Sequence, residues 1–174
     1  MSLFSGIGNA KPRGDYSYMG PGDYLVHINE FKSMLNRAKV GCIFFNMTVV
    51  AVLDDSEAVR AAMAPHRVGD TSTWMMDTSK DATMPTLKRA LMQVTGVPEG
   101  EVNEEFCEAL ASAAQPLKGY FMEYHGQQIK TKGKGNLITL RSFRRRWTRA
   151  MVEANAEVMK NVQLLKLDVT RAGD

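Results

Sequence analysis

The apolar period changes along the chain, and the order of those changes limits what it can fold into. From Asp23 to Phe31 the pattern alternates, with Tyr24, Val26 and Ile28 on one face and Leu25, His27 and Asn29 on the other, as in a strand. Cys42 to Leu53, rich in Ile, Val, Phe and Thr, predicts a second strand that Asp54-Asp55 ends. After an Ala-rich stretch to Pro65, Arg67 to Met76 predicts a third, with Gly69 as a bulge. The period then becomes helical. Pro85 suits a first turn, and Leu87, Ala90, Leu91 and Val94 keep helical spacing until Gly96 stops it. Asn103 can cap a second helix, with Glu104 and Glu105 in its positive first turn, a stripe of Phe106, Ala109, Leu110 and Ala113, and Pro116 as its end. Tyr120 to His125 and Leu137 to Phe143 return to strand period around a loop from Gly126 to Asn136. Beyond Arg144 there is no Pro or Gly until Gly173. Trp147, Met151, Ala154, Val158, Val162 and Leu165 recur there at intervals of 4, 3, 4, 4 and 3, which predicts one amphipathic helix of about five turns.

Three strands, a helical insertion and two strands is an α+β order, mainly β. It is the element order of the OB fold, a five-stranded Greek-key barrel, here with helices between strands three and four and a C-terminal helix. The expected organisation is a glycine-rich flexible arm over residues 1–22, an OB-fold domain over 23–146, and a C-terminal amphipathic helix and tail over 147–174. With 174 residues, 44% of them hydrophobic, such a domain can bury a core without disulfides or metals. Cys42 and Cys107 make no disulfide framework, and no apolar run reaches the roughly 18 residues that span a bilayer. No basic segment followed by an apolar core opens the chain, so the expectation is a cytosolic protein with no membrane partner.

The formal net charge of +3 conceals an uneven distribution. Between Lys118 and Arg149 stand nine basic residues against one acid, Glu123, whereas the rest of the chain is net acidic. Such asymmetry points to a partner of clustered negative charge. OB barrels bind oligonucleotides on the face of strands two and three and through the loops joining strands one to two and four to five. Both of those loops are basic here: Lys32, Arg37 and Lys39 surround the first, and Lys130, Lys132 and Lys134 lie on the second. Arg141, Arg144, Arg145 and Arg146 can pair phosphates bidentately. Phe44, Trp74, Phe121, Tyr124, Phe143 and Trp147 are candidate stacking rings, with core packing as the competing role for each. Alternation puts Phe44 outside and Phe45 inside, because Ile43, Phe45, Met47 and Val49 make the more apolar face.

Catalytic chemistry has little support. His27, His66 and His125 lie in separate elements without a partner at metal-ligand spacing, and no Cys-x-x-Cys or His-Glu-x-x-His pattern occurs. The glycine pairs Gly6/Gly8 and Gly133/Gly135 lack phosphate-loop and dinucleotide patterns. Glu99, Glu101, Glu104, Glu105 and Glu108 suit a solvated helix face. No catalytic residue, metal site or cofactor is expected. Arg13-Gly14-Asp15 is treated as a chance match to an adhesion tripeptide.

Several short motifs carry a resemblance: Phe4-Ser5-Gly6-Ile7, Pro21-Gly22-Asp23-Tyr24-Leu25-Val26, His66-Arg67-Val68-Gly69-Asp70, and Gln115-Pro116-Leu117-Lys118-Gly119 through Ile129-Lys130-Thr131-Lys132. Over residues 4–143 the chain resembles bacteriophage OB-fold single-stranded DNA-binding proteins. The resemblance implies a replication or recombination setting, phage replication or recombination proteins as partners, and the cytoplasm of a bacterial host. The chain departs from such proteins in lacking a strongly acidic tail, since it ends Thr170-Arg171-Ala172-Gly173-Asp174.

The expected function is therefore non-enzymatic, largely sequence-independent binding of single-stranded DNA, with RNA left open. The alternative is a protein-interaction or virion structural module that assembles as a homo-oligomer through the C-terminal stripe of Trp147, Met151, Val158, Val162 and Leu165.

Overall fold

The computed structural model describes residues 18–54 and 65–174. The greater part of the expected N-terminal arm, with Phe4-Ser5-Gly6-Ile7 and the Arg13-Gly14-Asp15 tripeptide, lies outside the described residues, as does most of the Ala-rich stretch before Pro65.

Five strands form one antiparallel sheet: β1 (Gly22–Leu35), β2 (Gly41–Val52), β3 (Thr71–Asp77), β4 (Phe121–Lys130) and β5 (Leu137–Trp147), in the order β3-β2-β1-β4-β5. With them stand helices α1 (Thr83–Thr95), α2 (Glu104–Leu110), α3 (Arg149–Ala154) and α4 (Ala156–Leu164), so the fold is α+β, as the change of period predicts. No ladder joins the edge strands β3 and β5 among the described residues, and the sheet is open. Its edges meet through side chains instead, the Trp74 and Phe143 rings lying 5.2 Å apart at 70°.

Alternation in β1 and β2 builds the principal core. Tyr24, Val26, Ile28, Phe45, Met47 and Val49 face inward with Trp74, Met122, Tyr124 and Phe143. Helix α1 closes that face with Leu87, Ala90, Leu91 and Val94. Gly96 ends the helix in the left-handed conformation (φ 74°), which a residue without Cβ adopts freely. Asn103 caps α2 as expected, accepting from the Phe106 N–H, but α2 stops at Leu110, well before Pro116.

Bulges shape the sheet. Leu25 opposes Ala51 while Val26 opposes Val49, leaving Val50 as an extra residue. Val49 thereby faces the principal core while Val50 and Ala51 join a second cluster, with Leu25, Phe121 and Trp147.

The C-terminal segment covers this second cluster, and here the expectation of one five-turn helix is corrected. Asn155 breaks it into α3 and α4 and caps α4 by accepting from the Val158 N–H. Val152, Val158 and Val162 are buried against the sheet, and Asn161 donates to the Val50 carbonyl at 2.8 Å. The stripe predicted for oligomer contacts is therefore largely core of its own chain. Trp147, Val158 and Val162 are buried, Met151 is half-buried against the same cluster, and Leu165 lies beside Gly69.

Two more expectations shift. The third strand begins at Thr71, because residues 67–70 close a turn with Asp70 N–H donating to the Arg67 carbonyl; Gly69 (φ 94°) belongs to that turn and is no bulge. The expected loop from Gly126 is mostly strand. β4 runs on to Lys130 and pairs with β5 down to Leu137, leaving only residues 131–136 as the connection. Gly126 is needed because the chain crosses it closely: a Cβ there would come within 2.5 Å of the Gly20 carbonyl oxygen. No described helix is long and apolar enough to cross a membrane.

Candidate nucleic-acid interface

The basic residues separate into those already engaged and those left free. On β5, Met122 opposes Arg146 and Tyr124 opposes Phe143, so Arg144 and Arg145 form a bulge opposite Glu123. Arg145 donates to Glu123 Oε1 from Nε (3.1 Å) and Nη2 (2.8 Å), and the Trp147 indole donates to the same oxygen at 2.7 Å. Arg144 stands 4.0 Å from Asp23, which also bonds His125. Arg146 lies 4.9 Å over the Tyr120 ring. Arg141 donates from Nε to the Met19 carbonyl at 2.6 Å. The arginine run expected to hold phosphates is thus corrected in part: Arg141 and Arg146 are committed to the protein, and Arg144 and Arg145 are partly neutralised by acids.

Arg141 belongs to a clamp that the sequence patterns do not reveal. Four side chains hold residues 19–21. Tyr124 donates to the Gly20 carbonyl (3.0 Å), Tyr24 to the Pro21 carbonyl (2.9 Å), and the Gly20 N–H donates to His66 Nε2 (2.8 Å). Burial holds the Tyr24 hydroxyl up at about 12, raises that of Tyr124 as well, and holds His66 below the ordinary imidazole value, which keeps its Nε2 free to accept. Met19 is fully buried and its N–H donates to the Thr73 carbonyl, so residues 18–19 run along the outer edge of β3.

The expected stacking rings divide sharply. Trp74, Tyr124 and Phe143 are each at most 3% exposed in the principal core, Phe121 and Trp147 are buried in the second cluster, and the role of all five as open platforms is corrected to packing. Phe44 is half-buried on the opposite face of the sheet, between Lys32 of β1 and Met75 of β3. Tyr18, 52% exposed, reaches Met75 with its hydroxyl 3.9 Å from Sδ. Sequence reasoning missed Tyr18 and Met75. Tyr18 falls in a segment without periodicity, and Met75 acquires its place only through the β2–β3 register.

Of the ten basic residues expected to meet phosphate, five have no salt bridge, side-chain hydrogen bond or ring contact among the described residues: Arg37 and Lys39 on the exposed β1–β2 loop, and Lys130, Lys132 and Lys134 at the end of the β4–β5 ribbon. Lys32 is 3.1 Å from Glu30. Along β1 the two loops leave from opposite ends, since Gly22 opposes Gly126 while Leu35 opposes Gly41. The ribbon also exposes Leu137, Ile138 and Leu140. Among the described residues no three His, Cys, Asp or Glu side chains gather as a metal site. No protein-family model and no curated protein sequence matches the chain.

Proposed function

We propose that the protein binds single-stranded DNA with little regard to sequence, as an OB-type module acting in phage replication or recombination inside a bacterial host. The observation that carries this reading is the set of unpaired cations at the two ends of β1, Arg37 and Lys39 at one and Lys130, Lys132 and Lys134 at the other, with the half-open Phe44, Met75 and Tyr18 on the sheet face. Cations along a backbone path with rings between them are what a single strand requires, because phosphates are neutralised while bases stack. The OB assignment draws support from the strand order, since joining edge strands β3 and β5 would complete a five-stranded cycle. In this reading the protein is not an enzyme.

Anisotropy titration with labelled oligo-dT at several salt concentrations, with duplex DNA and oligo-U as competitors, tests it. Binding should weaken with a log–log salt slope of about −0.7 per phosphate contact. Absence of binding at low salt overturns the reading.

A protein-interaction module is the second reading, favoured by the exposed Leu137, Ile138 and Leu140. It predicts that Lys130, Lys132 and Lys134 can be reversed in charge without loss of function, whereas Ile138→Asp abolishes partner binding.

A further inference from the structure

A groove of about 460 Å³ lies between α1, α2 and the neighbouring ends of β1 and β2. Its accessible wall is apolar. Met84 is 53% exposed, and Val102, Cys107 and Ala111 are half-buried against the core. Glu104 and Glu108, one turn apart on α2, stand exposed on its rim, with no salt bridge or side-chain hydrogen bond among the described residues. Lys88, the basic side chain that lines it, lies 3.7 Å from Glu99. Such a groove fits a segment that brings apolar side chains together with positive charge.

The chain holds such a segment outside the described residues. Residues 3–7 carry Leu3, Phe4 and Ile7, and residues 8–15 carry Lys11 and Arg13 against Asp15. We propose that the groove seats the chain's own N-terminal segment, with Leu3, Phe4 and Ile7 against Met84, Val102, Cys107 and Ala111, and with Lys11 and Arg13 facing Glu104 and Glu108. The reach is sufficient. Tyr18 bridges to Thr73 on the outer edge of β3, and Ile43, on the groove, opposes Met76 three residues further along that strand. At about 3.3 Å per strand residue and about 4.8 Å between strands, the groove begins about 15 Å from Tyr18. Phe4 precedes Tyr18 by 14 residues, a span of about 20 Å for a flexible chain and about 46 Å when extended. A tether of this kind sets a local concentration near the millimolar range, so the chain's own segment outcompetes that of another copy at micromolar protein. Held by Tyr24, His66 and Tyr124 at residues 20–21 and by the groove at its other end, the arm makes a strap past the free edge of β3. Such an edge otherwise offers unpaired backbone groups to another chain. Nothing in this seating depends on nucleic acid.

Cys107 reports on the groove, because the other cysteine, Cys42, is only 2% exposed. The Ser5→Cys variant keeps all three apolar anchors. Mild oxidation should join its new thiol to Cys107 within one chain, read by peptide mapping, since a disulfide needs Cα atoms within about 7 Å. Ala10→Cys, on a shorter tether, should react at least about tenfold more slowly, whereas tethering alone predicts the reverse order. Equal or reversed rates would overturn the proposal, and so would disulfide-linked dimers as the main product, which would give the groove to a second copy. In the wild type, alkylation of Cys107 by N-ethylmaleimide should be about tenfold slower than in the triple variant Leu3→Ser, Phe4→Ser, Ile7→Ser. That is the protection expected when a local concentration of about 1 mM meets an intrinsic dissociation constant of about 0.1 mM. Equal rates would overturn the seating. Glu104→Lys with Glu108→Lys should lose part of the protection, and Lys11→Glu with Arg13→Glu in the same chain should restore it; no loss, or loss without rescue, would contradict the charge pairing. All of these readouts are taken without nucleic acid, so a failure to bind oligo-dT leaves them unchanged.

Discussion

Truncating Val162 to alanine separates a core role for the C-terminal stripe from an interface role. Val162 is 3% exposed, one helical turn beyond Val158, and both join the cluster formed by Leu25, Val50, Phe121 and Trp147. The change removes two methyl groups, roughly 1.5 kcal/mol at about 0.8 kcal/mol per buried carbon. A cavity term follows, because the Asn161–Val50 bond pins α4 and limits collapse, so the expected cost is about 2 kcal/mol. In a chain of this size each kcal/mol moves the melting temperature by about 2 to 4 °C, which predicts a fall of about 4 to 8 °C. Thermal unfolding by circular dichroism reads the shift, and light scattering reads the mass. The account predicts a lower melting temperature and an unchanged mass. An unchanged melting temperature with a halved mass would refute it and restore the stripe as an oligomer contact.

Other predictions follow from the same structure. Phe44→Ala should weaken oligo-dT binding by about tenfold to a hundredfold if one base stacks there, with little change in melting temperature. Equal affinity would remove Phe44 from the interface. Burial holds both His27 and His66 below the ordinary imidazole value, so both are neutral in the folded chain. The unfolded chain therefore binds protons first on acidification. Stability from these groups is complete above about pH 6.5 and is lost as pH falls from there toward the lowered values. His66→Gln can still accept from the Gly20 N–H while removing that titration, so its melting temperature should depend less on pH below neutrality. Identical pH profiles would contradict the clamp.

The sheet was legible where period and burial coincide. Tyr24, Val26 and Ile28 alternate in sequence and face one core, and Phe45 points inward as the apolar count on β2 suggests. The caps were legible too, since Gly96 and Asn103 act through local chemistry. Extent was less so. The pairing of Gln127 to Lys130 with β5 is a cross-strand property, and glycines and lysines there mimic a loop. A spacing of 3.5 continues through Asn155, yet Asn155 caps the next helix better than it continues the last. Composition located the basic segment correctly but could not foresee that Glu123 and Asp23, distant in sequence, would engage its arginines. Nor can ring identity alone separate Phe44 from Trp74; the register and the closing α1 helix make one surface and the other core.

The central claim is that the unpaired lysines of the ribbon meet phosphate. Its most direct test is the salt dependence of oligo-dT affinity for the wild type and for the variant with Lys130, Lys132 and Lys134 each changed to alanine. At about 0.7 per phosphate contact, loss of three contacts should flatten the log–log slope by about 2 and weaken binding at low salt. Parallel slopes for the two proteins would contradict the account.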